Sequence, residues 1–214
     1  MARFTRWVLA LAIVATGSSA AFAQGRGGGM QRGVMLLSNK SVRSELKMSD
    51  EQVAKVDAML AEMREKHSSD FEKMRDAEPQ DRMRMSRELM QTMLEESKKP
   101  LAEILKPEQV KRFSQIELQT RGLDAMIADP TIGSSLKLSD DQKEKIKTIQ
   151  QDSFTQMREI FQNSQGDREA AMKKMTELRK ETMEKGLAVL SDEQKKAWNE
   201  AIGAPFTLVP DPRP

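Results

Sequence analysis

Leu190-Ser191-Asp192-Glu193-Gln194 reads LSDEQ, and three near-copies precede it: MSDEQ at Met48 to Gln52, LKPEQ at Leu105 to Gln109 and LSDDQ at Leu138 to Gln142. In S-x-x-Q, a serine at the N-cap accepts a hydrogen bond from the N3 backbone N–H, and the N3 glutamine reaches back to the N-cap N–H, forming a capping box. The residue ahead of each serine is apolar, as a hydrophobic staple requires. Asp50, Glu51, Asp140, Asp141, Asp192 and Glu193 fall in the first turn, where the helix dipole favours negative charge. The copy at Leu105 has Lys106 in place of serine but puts Pro107 at N1, where its missing N–H is no loss. Four helix starts are thus expected, carried by Met48, Ser49 and Gln52, by Leu105 and Gln109, by Leu138, Ser139 and Gln142, and by Leu190, Ser191 and Gln194.

Outward from these starts the apolar residues recur at spacings of three and four. Val53, Val56, Met59, Leu60, Met63, His67, Phe71 and Met74 form one stripe, predicting a helix over about residues 50 to 75, ~39 Å long at 1.5 Å per residue. Leu89, Met90, Met93 and Leu94 form a second stripe, continued by Leu101, Ile104 and Leu105 beyond a break expected at Pro100. Ile146, Ile149, Met157, Ile160 and Phe161 form a third, and Met172, Met175, Leu178, Met183, Leu187 and Leu190 a fourth. Glu78-Pro79 and Gln165-Gly166 read as turns, and no segment reads as a strand. With charged residues at 32% and aromatics at 4%, the composition favours long amphipathic helices over a thick core.

The motifs belong to a longer internal match. With a shift of 90, Leu36-Leu37 meets Met126-Ile127, Asn39 meets Asp129, Val42 meets Ile132, Val56 meets Ile146 and Phe71 meets Phe161; with a shift of 85, Gln109 meets Gln194 and Phe113 meets Trp198. This reads as a tandem duplication, with units over 34–122 and 123–205, Gly122 as a helix stop between them and a Pro-rich tail over 206–214. Each unit should carry a short helix near 40–46 or 130–136, two long helices and a shorter terminal one. The expected fold class is all-α, with elongated helical hairpins in two tandem repeat units.

Residues 1–23 read as a signal peptide: Arg3 and Arg6, an apolar run from Trp7 to Ala15, and small residues ending in Ala21-Phe22-Ala23. Cleavage between Ala23 and Gln24 would leave a Gly-rich linker over 24–33 and lower Lys plus Arg from 35 to 33 against 33 acids. A neutral mature chain argues against a nucleic-acid partner. The apolar run is shorter than the ~20 residues a membrane span needs, and there is no Cys for a lipid anchor, disulfide or thiolate site. The mature chain is expected to be exported, periplasmic or extracellular, with no membrane span.

Catalytic chemistry finds little purchase. The single His67 stands next to Ser68, Ser69 and Asp70, but consecutive helical residues point apart and His67 falls on an apolar stripe, so it reads as packing rather than a triad. Carboxylate pairs such as Glu95-Glu96 read as solvated faces. There is no phosphate loop, calcium loop or HExxH motif. Met83 with Met85 and Met172 with Met175 are the pairs with Cu(I) potential, and helical spacing makes packing their first reading. No catalytic residue, metal or cofactor is assigned.

Signal peptide, helical pattern and paired L-S-x-x-Q motifs at Leu138, Ser139, Gln142, Leu190, Ser191 and Gln194, with Met48, Ser49 and Gln52 as a variant, resemble the LTxxQ-motif (Spy/CpxP-like) family of exported helical proteins. Serine in place of threonine, Lys106 in one copy and two units in one chain depart from the family pattern. The resemblance implies small helical hairpin proteins whose dimeric cradle binds unfolded or misfolded polypeptides without ATP. The function it suggests is that of an exported, ATP-independent chaperone-like or stress-response protein; the alternative is a non-enzymatic regulatory or structural envelope protein docking on one specific partner. Candidate client-binding residues are Met83, Met85, Met90, Met93, Met157, Met172 and Met175, flanked by Arg82, Arg84 and Arg168, because Met-rich surfaces adapt to varied partners. Two units in one chain favour a monomer with an internal pseudo-dimer over a homodimer.

Overall fold

The computed structural model of the protein describes residues 32–164, 167–209 and 211, so the signal-peptide reading, the linker over 24–31 and the Gln165-Gly166 turn lie outside the described residues. The described chain is all-α. A 3-10 helix, Gly33–Ser38, is followed by α1 (Lys40–Glu45), α2 (Asp50–Lys66), α3 (Ser68–Asp76), α4 (Pro79–Ile104) and α5 (Pro107–Arg121). Then come α6 (Leu123–Ala128), α7 (Pro130–Leu136), α8 (Asp140–Asn163), α9 (Arg168–Ala188) and α10 (Asp192–Ile202).

The four motifs stand at the starts of α2, α5, α8 and α10. Ser49, Ser139 and Ser191 accept from the backbone N–H of Gln52, Gln142 and Gln194 at 3.3, 3.2 and 3.2 Å. In return the backbone N–H of each serine donates to that glutamine's Oε1 at 3.0, 3.0 and 2.9 Å. Lys106 has no acceptor to offer, so α5 keeps only the return half, Lys106 N to Gln109 Oε1 at 2.8 Å. Asn39 and Asp129 cap the short α1 and α7. Gly122 ends α5 with φ 57°, a left-handed conformation that glycine adopts at little cost.

Three expectations need correction. The helix expected over 50 to 75 breaks at His67, whose backbone lies at φ −100°, ψ 15° between α2 and α3. The His67 side chain is drawn to Glu96 on α4, whereas Met157, the matching residue in α8, has no charge to pair and α8 runs unbroken. Pro100 does not break α4. Its missing N–H and ring clash cost ~3 kcal/mol, and buried Leu89, Met93 and Leu101 along the same helix hold it in place. Gly33, assigned to the linker, is buried at the start of the 3-10 helix, where its φ of 55° suits glycine.

Two apolar clusters follow the order of the chain. The first gathers Val34–Leu37 of the 3-10 helix, Val42, Leu46, the inner faces of α2 and α4, and Phe113 and Ile116 of α5. The second takes over at Leu118 and continues through Leu123, Met126, Ile132, Leu136, Ile146, Leu190 and Trp198. Helix α5 therefore serves both clusters, and α10 packs on α5 as well as on α7. The 3-10 helix covers α2 and α4, as α6 covers α8, while α8 and α9 pack along one another as a hairpin. None of the described helices is long and apolar enough to cross a membrane. Beyond α10 the tail turns back onto the first cluster, with Phe206 and Leu208 packed against it.

Candidate functional site

The motif glutamines do more than cap their own helices; they meet in pairs. Gln52 Nε2 donates to Gln109 Oε1 at 2.7 Å and Gln109 Nε2 to Gln52 Oε1 at 3.1 Å. Gln142 and Gln194 exchange the same two bonds at 2.8 and 3.0 Å. Each Nε2 also donates to a carbonyl at the end of another helix: Gln52 to Ile104 O at 3.0 Å, Gln109 to Leu46 O at 2.9 Å, Gln142 to Val189 O at 2.9 Å and Gln194 to Leu136 O at 2.9 Å. Each pair thus fastens two helix starts to two helix stops. Glutamate would complete a capping box equally well, but an ionised carboxylate accepts only and cannot donate to those carbonyls. This demand for both a donor and an acceptor explains why all four copies end in Gln. That uniformity is the sequence signal of the pairing, and capping of single helices does not require it.

His67 lies buried at the α2–α3 break, with Nε2 3.0 Å from Glu96 Oε2 and Nδ1 3.3 Å from Asp70 Oδ2. Lys66 also reaches Glu96, at 2.8 Å. Hydrogen bonding to Glu96, helped by Asp70, raises the His67 pKa against burial and Lys66. Lys66 first, then His67, lowers that of Glu96. A histidine with a raised folded pKa contributes stability below its unfolded value of ~6.5, lost as pH rises through the folded value; the lowered Glu96 contributes above ~4.3, lost as pH falls. This contact is therefore strongest between about pH 5 and 6.5. His67→Gln should flatten the fall in urea midpoint from pH 6 to pH 8.5; an unchanged slope would show that other groups set it.

Where α5 meets α6 and α7, Arg121 faces Glu117 at 3.5 Å, Asp124 at 3.5 Å and Asp129 at 3.1 Å. Burial pushes the Glu117 carboxyl above the usual range despite Arg121. Among the described residues, no group of three or more His, Asp or Glu is placed to hold a metal ion.

The candidate client-binding residues separate. Met93 and Met175 are 0% and 7% exposed, so they are core residues and present almost no surface to a partner. The apolar stripe on which each was chosen is the side its helix turns inward. Met85, Met90 and Met157 are half-buried, and Met172 is 42% exposed. Arg82 donates to Ala77 O at 2.8 Å and to Arg75 O at 3.3 Å at the end of α3, and Arg84 pairs with Asp81 and Glu88. Both are exposed yet locally engaged. The side chains of Met83 and Arg168 lie outside the described part. Phe161, 58% exposed and absent from the candidate set, is the largest apolar side chain open to water among the described residues. Its half-buried counterpart Phe71 packs against the first cluster. Comparison with family models, with characterised proteins and with solved structures finds no match to this chain.

Proposed function

We propose that this chain is an exported, ATP-independent chaperone-like or stress-response protein that binds polypeptide segments on amphipathic helices, built as two tandem units in one monomer. The observation that carries the reading is the apolar surface where α8 ends and α9 begins. Phe161 and Met172 are exposed there, within about two helical turns of those helix ends. Half-buried Met157 and Ile160 extend the apolar surface, and exposed Arg158, Lys173 and Lys174 border it. A large aromatic and a flexible thioether bordered by these cations, with exposed Glu159, Asp167 and Glu169 on the same turns, suit an unfolded segment with apolar residues and charges of both signs. The resemblance to the LTxxQ-motif family supports the same reading.

The test is suppression of aggregation of a denatured, unrelated protein by the purified chain without ATP. Replacing Phe161 and Met172 together with Ser should abolish most of the suppression while leaving helicity and urea midpoint nearly unchanged, since neither side chain belongs to either apolar cluster. Equal suppression by the double variant would remove the hairpin end from the mechanism. No suppression by either chain would favour a protein that docks on one specific partner.

A further inference from the structure

Residues 203–209 and 211, after α10, form no helix, yet they are held at both ends. Gly203, at φ 63° and ψ −152°, turns the chain away from α10 in a conformation that disfavours a side chain. Gln119 Nε2 on α5 then donates to Ile202 O at 2.7 Å and Ala204 O at 2.9 Å, and its Oε1 accepts from Phe206 N at 2.9 Å. Arg112 donates to Ala204 O at 2.8 Å. At the far end, Asn39 Nδ2 donates to Val209 O at 2.9 Å, Val209 N donates to Ser41 Oγ at 3.2 Å, and Lys40 N donates to Asp211 Oδ1 at 3.0 Å. Between these anchors Phe206 and Leu208 pack inward while Thr207 and Val209 face out, the period of two of an extended strand. Side-chain amides thus read the main chain, and two apolar sites two residues apart read the side chains. This division of labour marks recognition of extended peptides.

The second unit shows what this arrangement adds. Asp129 matches Asn39 and caps α7 in the same way, its Oδ1 accepting from Thr131 N at 3.0 Å and Ile132 N at 3.1 Å. Its other oxygen accepts from Arg121 at 3.1 Å, and a carboxylate has no N–H to give a peptide carbonyl. Asn39 keeps the cap and adds the donor.

We infer that the surface of α1 and α5 carrying Asn39, Ser41, Arg112 and Gln119 is a binding groove for an extended polypeptide of the pattern Phe-x-Leu-x-x-Asp, and that residues 203–209 and 211 fill it in cis as a displaceable strap. The inference goes beyond the hairpin-end reading and does not depend on it. A tethered segment competes at an effective concentration of about millimolar, so the intact chain admits only ligands that are abundant or bind more tightly than the strap.

The experiment uses the full chain and a fluorescent peptide, GAPFTLVPDPRP, copied from residues 203–214. Phe206→Ala with Leu208→Ala loosens the strap and leaves the groove intact. This double variant should bind the peptide at one site at least about tenfold more tightly than the wild-type chain, because the competing strap is weakened. A peptide carrying the same two alanines should not bind. Adding Asn39→Asp should then weaken binding by about tenfold through the lost donor to the peptide carbonyl, with α1 still capped. Equal affinity of the wild-type chain and the folded double variant, or no binding to that variant, would overturn the proposal. Should the double variant not fold, hydrogen exchange on the wild-type chain decides: millimolar peptide should speed exchange at the Phe206 and Val209 amides, and unchanged rates would overturn the groove.

Discussion

Gln109→Glu lowers stability by about 3 kcal/mol at neutral pH, and part of the loss returns near pH 4. Gln109 is buried, and its amide bonds Lys106 N, Gln52 and Leu46 O at once. The substituted carboxylate can still accept from Lys106 N, so the capping return survives. It cannot donate, and it faces Gln52 Oε1 and Leu46 O, each with a partial negative charge of its own. Protonation removes the charge and restores one donor, hence the partial recovery in acid. Loss of a simple cap is smaller: Ser49→Ala should cost about 1 kcal/mol. Urea unfolding at two pH values measures both effects. If Gln109→Glu cost no more than Ser49→Ala, the paired amides would contribute nothing beyond helix capping.

Trp198→Ala should cost about 3 to 5 kcal/mol, the range for emptying a buried aromatic site. Trp198 lies fully buried in the second cluster, in the position that Phe113 takes relative to the first. Its Nε1 has no hydrogen-bond partner among the described residues. A buried, unpaired N–H carries a penalty of roughly 1 to 3 kcal/mol. Trp198→Phe removes that penalty while giving up part of the ring volume, so the two terms oppose and the net loss should stay below about 1.5 kcal/mol. Denaturant midpoints of the two variants decide the point. A phenylalanine variant as unstable as the alanine one would mean that the indole N–H is satisfied and that packing alone governs the site.

Much of the fold was legible locally. A capping box depends on four consecutive residues, and an amphipathic stripe on spacing along one helix, so Ser49, Ser139 and Ser191 and the apolar rows behind them could be read without knowing what they pack against. The misreadings arose where a local rule met a distant partner. His67 continues the α2 stripe in the sequence, but Glu96, twenty-nine positions away on α4, draws its side chain at the break. Pro100 breaks an isolated helix, yet α4 is held along its buried face by the first cluster. The candidate surface was legible only in part for the same reason. An apolar stripe is continuous in sequence, and the neighbouring helix decides which members, such as Met93 and Met175, are covered.

The sequence by itself determined where helices begin and which faces are apolar, because both follow from interactions within a few residues of one another. Only the tertiary structure decided that the four glutamines close into two pairs, that Phe161 is open to water while Phe71 is half-covered, and that residues 203–209 lie across α1 and α5. Each of these joins groups tens of residues apart or more. Gln119 and Phe206 are 87 positions apart, and Asn39 and Val209 are 170. No local pattern can report a hydrogen bond whose two halves meet only after the cores have formed.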